Sequence, residues 1–156
     1  PIKSSAASDV YKRQHHEFAH ILHQIKNYDP AFERITENGY VGADWYFKID
    51  PITGVATNRT NEDAWSEGFV TAYAMNEPRE DFVENISMYV TNTEAYWNSM
   101  LMAAGETGRA LIQRKFDIVY QYMEETWGIN LDELRDIVLR RQKDIADGVL
   151  DLSIIK

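Results

Sequence analysis

A chain of 156 residues with a formal charge of −9 and a pI near 4.9 has no surplus of cations to neutralise phosphates, which argues against nucleic acid and acidic membrane surfaces as partners. It contains no cysteine, so neither a disulfide framework nor thiolate chemistry is open to it. One domain of this length buries about 70% of its unfolded surface, enough to fold without a metal, and no apolar run approaches the roughly 18 residues of a membrane span.

The first fourteen residues, PIKSSAASDVYKRQ, carry neither the apolar core of a signal peptide nor a periodic helical face. They resemble translated cloning or sequencing-adaptor sequence, so residues 1–14 are expected to be a non-native leader ahead of a single domain over residues 15–156. From His15 to about Lys26, the residues Phe18, Ile21, Leu22 and Ile25 recur at three- and four-residue steps, which predicts a helix that buries that face. Asn27, Asp29 and Pro30 end it. Residues 38–62, with their glycines and the turn-like DPITG and TNRTNED segments, predict a long ordered connection with a short strand near residues 45–49. Helix is expected again from Asp63 to about Ala74. Another opens at Pro78, a favoured first-turn residue, and runs to about Met102 with Phe82, Ile86, Tyr89 and Val90 inward. A third long helix follows Gly105 and ends near Trp127, using Leu111, Ile118, Val119 and Tyr122. A last one carries Leu131, Leu134, Val138 and Ile145 and is closed by Gly148. The fold class expected is mainly α, with a long central loop and at most a short strand or two.

All four histidines lie in one stretch, HHEFAHILHQ, residues 15–24. His16-Glu17-Phe18-Ala19-His20 fits HExxH, and residues four apart share a helix face, so both imidazoles can reach one Zn²⁺ while Glu17, one position round, reaches a water without ligating the metal. His15 has no partner at metal-binding spacing and reads as solvated or as a contact outside the ligand set. His23 could join His20 on the metal only if the helix bent, and reads as a non-ligand. The metzincin extension is excluded because His23 stands where it needs Gly and Lys26 where it needs His. A hydrolytic centre needs a third protein ligand, for which Glu77, Glu80 and Glu84 compete. Glu80 and Glu84 share a helix face after Pro78, so Glu80 can ligate while Glu84 accepts from the outer nitrogen of a ligand imidazole. Pro78 pushes Glu77 towards extended geometry, outside the helix. The helix dipole alone also favours an acidic first turn, which accounts for Glu77, Glu80 and Asp81 but poorly for Glu84.

HEFAHILHQ followed by GFVTAYAMNEPREDFVENISMYV resembles the import-associated zinc metallohydrolase lipoproteins of Bacteroidetes. More widely it resembles the gluzincins, in which a Glu from a second helix completes HExxH. Within these, the catalytic domain of anthrax lethal factor has HEFGH and a Tyr seven residues ahead of the ligand Glu in an EFFAE segment, and Tyr73 stands seven ahead of Glu80 in EDFVE. The resemblance implies a zincin-like metallopeptidase domain with His16, His20 and Glu80 as Zn²⁺ ligands and Glu17 as general base. It further implies Tyr73 as oxyanion partner and Glu84 holding a ligand imidazole. It also implies a substrate-binding β-sheet ahead of the metal helix, a portion expected to be missing before His15. The implied reaction is zinc-assisted hydrolysis of an amide bond in a peptide or protein substrate. Implied partners are outer-membrane nutrient-import components, and the implied location of the full-length parent is exported, as a periplasmic or outer-membrane-anchored lipoprotein. Two rivals remain. One is a non-catalytic peptide- or glycan-binding component of an import complex with a structural zinc, supported by the aromatics Trp45, Tyr46, Trp65, Tyr96 and Trp97. The other is an amidohydrolase acting on non-peptide substrates. Glu17, which a structural site does not need, favours an enzyme.

Overall fold

The computed structural model of the protein describes residues 4–149; residues 1–3 of the expected leader and 150–156 of the expected domain lie outside them. The described elements run α1 (Ser4–Ile25), α2 (Ala31–Ile35), β1 (Phe47–Ile49), β2 (Ala56–Asn58), α3 (Asn61–Ser66), α4 (Pro78–Thr91), α5 (Glu94–Ala103), α6 (Gly105–Trp127) and α7 (Leu131–Ala146). The fold is mainly α, as expected. Among the described residues its sheet is one antiparallel hairpin in which Phe47, Lys48 and Ile49 pair with Asn58, Thr57 and Ala56. The Asp50 carboxylate accepts from the backbone N–H groups of Ile52 (2.8 Å) and Thr53 (2.9 Å), which makes the DPITG segment the hairpin turn. The second strand left no trace in the pattern because all three of its residues are exposed.

α4 is the axis of the molecule. Pro78 occupies its first turn, Glu77 before it is extended (φ −158°, ψ 164°) as the proline dictates, and every residue from Asp81 to Thr91 is buried. α1, α2, α6, α7 and the 3-10 turn Tyr73–Met75 pack around it. Phe82, Ile86, Tyr89 and Val90 are buried as expected.

Several boundaries differ from expectation, each for a local or tertiary reason. α1 begins at Ser4, well ahead of His15, because extending an existing helix by one residue costs far less than nucleating one. Tyr11 packs against the core and the Lys12 ammonium lies 3.1 Å from the Glu84 carboxylate, so the expected leader segment is part of this helix. The buried face of α1 is also not the predicted one. Phe18, Ile21 and Ile25 are exposed (44%, 54% and 66%), while Ala19, Leu22 and His23 are buried. The rotation is set by the docking of His16 and His20 against α4, with Ala19, fully buried, allowing close approach. Helix after Asp63 is shorter than expected: a capping box between Thr60 and Asp63 starts α3, and Gly68 ends the segment. Gly68 sits at φ +90°, and a Cβ there would lie 2.6 Å from Leu111 Cβ, so only glycine fits. The helix expected to reach Met102 is two helices. Asn92 is extended and Thr93 caps α5 by accepting from the Tyr96 N–H at 3.1 Å, so the Thr-Asn-Thr run offers the backbone an alternative to continuing. In α6 the deepest positions are Ile112, Lys115, Val119, Tyr122 and Met123, with Leu111 and Ile118 only half-buried.

Lys115 is fully buried. Its ammonium donates to Asp81 Oδ2 at 2.7 Å and Thr36 Oγ1 at 3.2 Å, and it lies 3.9 Å from the Phe69 ring centre. The Tyr40 hydroxyl donates to the same Asp81 oxygen at 2.9 Å, and the Asn85 amide donates to the other at 3.1 Å. A buried pair with its remaining hydrogen-bonding capacity filled is costly to break from one side. Lys115→Met is therefore expected to destabilise the protein by about 3–5 kcal/mol, read as a lowered urea midpoint; a loss below about 1 kcal/mol would contradict this account.

Candidate metal centre

His16 and His20 lie one turn apart on α1 with their Nε2 atoms 3.2 Å from each other. Glu80, in the first turn of α4, places Oε2 3.1 Å from His16 Nε2 and 3.3 Å from His20 Nε2. A tetrahedral Zn²⁺ with bonds of about 2.0–2.1 Å separates its ligand atoms by roughly 3.3 Å, so two imidazoles and one carboxylate at these separations fit zinc in chemistry and in size. The side chains of His16, His20 and Glu80 are 12%, 18% and 14% exposed, so each is mostly buried and still reached by solvent. Among the described residues, these three form the group that could hold a metal ion.

The outer nitrogens are also engaged. His16 Nδ1 lies 2.9 Å from Glu84 Oε1, and Glu84 Oε2 accepts from the Thr71 hydroxyl at 2.7 Å. Thr71 Oγ1 in turn accepts from the Ala74 N–H at 3.1 Å, which ties this carboxylate to the turn carrying Tyr73. Burial opposes a positive His16, but the Glu84 hydrogen bond and the charges of Glu84 and Glu80 outweigh it and raise the His16 pKa. Burial likewise opposes a charged Glu84, yet the hydrogen bond with His16 and the Lys12 charge hold its pKa below the usual range. Glu84 thus stays an acceptor at neutral pH. His20 Nδ1 meets His23 Nε2 at 3.0 Å.

The other candidates are separated by the fold. Glu77 is exposed at the helix cap, and its partner at four-residue spacing, Asp81, is committed to Lys115. His15 turns back to the Tyr11 carbonyl, 2.8 Å from its Nδ1. Glu17 lines an open cleft of about 530 Å³ together with His16, Tyr73, Glu84, Lys12 and Arg13. The Tyr73 ring centre is 5.9 Å from that of His16, and Trp45 from the long connection packs edge-on against it at 5.1 Å. Burial, then the Glu80 charge, raises the Tyr73 pKa, so its phenol remains a proton donor at neutral pH. Thr71, the packing of Trp45 on Tyr73 and the role of Lys12 escaped the sequence reading, since neither Thr71 nor Trp45 belongs to a spacing motif and Lys12 lies in the segment set aside as leader.

Two histidines four apart on one helix and a carboxylate from a second helix form a group that could hold a metal ion, with Glu17 between the histidines in the sequence. Residues 2–132 match the family model described as "Putative zinc-binding metallo-peptidase", and the chain belongs to that family. A crystal structure titled as that of "a putative zinc-binding metallo-peptidase" from Bacteroides caccae ATCC 43185 is 35% identical in sequence and superposes with a TM-score of 0.82. The match covers 99% of this chain and 54% of that one, so this chain spans about half the length of that relative. A search of the curated proteins found no match.

One Zn²⁺ per chain is expected by elemental analysis of the purified protein, with Glu80→Ala losing it. Glu84→Gln keeps the shape but not the charge behind His16, and should weaken zinc binding by about 10–100-fold in a chelator competition. Undiminished affinity would mean that Glu84 does not support the ligand.

Proposed function

We propose that this chain carries the hydrolytic centre of a zinc peptidase, with His16, His20 and Glu80 holding Zn²⁺, Glu17 as general base and Tyr73 as oxyanion donor. The observation that carries this reading is the convergence of the three donors, within 3.3 Å of one another, beside a cleft that Glu17 and Tyr73 both line. When bound, Zn²⁺ supplies Lewis-acid activation of the scissile carbonyl and of the attacking water. Glu17, one position round the helix from His16, takes a proton from that water and delivers it to the leaving nitrogen. Tyr73 donates its phenolic proton in a hydrogen bond to the carbonyl oxygen as negative charge develops there. Glu84 holds the His16 ring in place. The exposed Glu17 supports an enzyme over a purely structural zinc, and burial of Trp65 and Trp97 in the core removes two of the aromatics that a glycan-binding surface would use.

The proposal extends to the full-length parent by resemblance to the import-associated lipoproteins: an exported, outer-membrane-anchored protein working beside nutrient-import components on peptide or protein substrates. No helix among the described residues is long and apolar enough to cross a membrane.

Hydrolysis of a mixed peptide library, abolished by chelator and restored by zinc, tests the reaction class. Glu17→Gln should retain zinc and lose turnover, because an amide cannot act as base; loss of zinc instead would make Glu17 structural. Tyr73→Phe should keep metal content and lower kcat about 10²-fold or more. Unchanged kcat would reduce Tyr73 to a packing residue.

A further inference from the structure

The two candidate ligand imidazoles are held from behind by different chemistry. Behind His16 stands a carboxylate, Glu84, at 2.9 Å, whereas behind His20 stands another imidazole, His23, with Nε2 3.0 Å from His20 Nδ1. His23 is buried at 5% exposure. Its ring meets Tyr28 and Phe82 edge-on, with centre separations of 5.9 and 6.5 Å, and the His20 and His23 rings are inclined at 64°. These aromatic walls hold the His23 ring, and its contact with His20 is on the side opposite the Nε2 donors. It is therefore not a fourth member of the metal set.

The protonation pattern follows from lone-pair counting. For His20 to offer the Nε2 lone pair, its ring proton must sit on Nδ1. That Nδ1–H then points at His23 Nε2, which must be an acceptor, so the His23 proton sits on its own Nδ1. With either tautomer reversed, two N–H groups or two lone pairs would face each other at 3.0 Å. The i, i+3 spacing of His20 and His23 on α1 brings the second ring one turn beyond the first without bending the helix.

We infer that His23 is a positioning residue, whose Nε2 accepts from His20 Nδ1–H and so fixes the tautomer and ring orientation that present His20 Nε2 to the metal. The inference rests on the zinc reading above. It gives the two histidines of a symmetric motif different supports, a carboxylate behind His16 and an imidazole behind His20.

Three proteins test it: the wild-type chain, His23→Phe, which fills the space without an acceptor, and His23→Gln, whose amide oxygen restores one. Zinc affinity is read by chelator competition, the fold by the thermal midpoint of the metal-free protein, and the tautomers by nitrogen-15 NMR of the imidazoles in the zinc-loaded wild type. His23→Phe should bind zinc about 10–100-fold more weakly at an unchanged metal-free midpoint, with His23→Gln recovering most of the loss. The spectra should show protonated Nδ1 on both His20 and His23. Wild-type affinity in His23→Phe, no recovery in His23→Gln, or an Nε2-protonated His23 would each overturn the inference while leaving the zinc reading intact. Failure of the wild-type chain to bind zinc would overturn both. Should His23→Phe not fold, the wild-type tautomers and His23→Gln still decide.

Discussion

The burial of α4 is the constraint on which the rest depends. Eleven consecutive residues, Asp81 to Thr91, are out of solvent, and Asp81, Glu84, Asn85, Ser87 and Thr91 among them are polar. A helix enclosed on all sides is usually apolar throughout, and each unpaired polar group in it would cost about 1–3 kcal/mol. Here Asp81 and Asn85 bond to each other, and Asp81 also to Lys115 and Tyr40. Glu84 bonds to His16 and Thr71, and the Ser87 and Thr91 hydroxyls return to backbone carbonyls on the preceding turn. Neighbouring elements supply the partners of Asp81 and Glu84, α4 itself supplies those of the Asn85 amide N–H, Ser87 and Thr91, and Asn85 Oδ1 is left without one.

Two polar rows run along α4, each built on four-residue spacing. Glu80 and Glu84 face α1, while Asp81 and Asn85, one position round, face the interior under α6. The second row is a lock. With Lys115 and Tyr40 gripping Asp81, the rotation of α4 about its axis is set, and that rotation aims Glu80 and Glu84 at the histidines of α1. A side chain with no contact to the candidate metal ligands thus governs where one of those ligands points.

α1 answers with its own alignment. Its rotation places Ala19, Leu22 and His23 inward and leaves Phe18, Ile21 and Ile25 exposed. An apolar count alone favours the opposite choice. The contacts of His16 with Glu84 and Glu80 and of His20 with Glu80, together with the close approach that Ala19 permits, outweigh the exposure of those three side chains. The long connection completes the site from the other side: the Val41 and Gly42 N–H groups bond to the carbonyls of Met75 and Asn76 at 2.8 and 3.0 Å, and Trp45 packs on Tyr73.

What could be read from the sequence was what local chemistry decides. HExxH on a helix needs only the i, i+4 rule; Pro78 alone places Glu77 outside α4 and Glu80 and Glu84 within it; Gly128, at φ +66°, ends α6 where the pattern ends. The mainly α fold followed from the same periodicities. The inward face of α1, the break at Asn92, the exposed strand β2 and the partner behind His20 were beyond that reading. The four-residue step from Glu80 pointed Glu84 at a ligand imidazole but not at which one, and it meets His16 across 68 positions; Lys115 reaches Asp81 across 34, and no spacing rule encodes that pair. His23 was within reach, three residues from His20, but whether its ring meets a ligand or solvent depends on Tyr28 and Phe82 closing over it. Which way each helix faces is set by the polar groups its neighbours must satisfy, and only the folded chain brings those neighbours together.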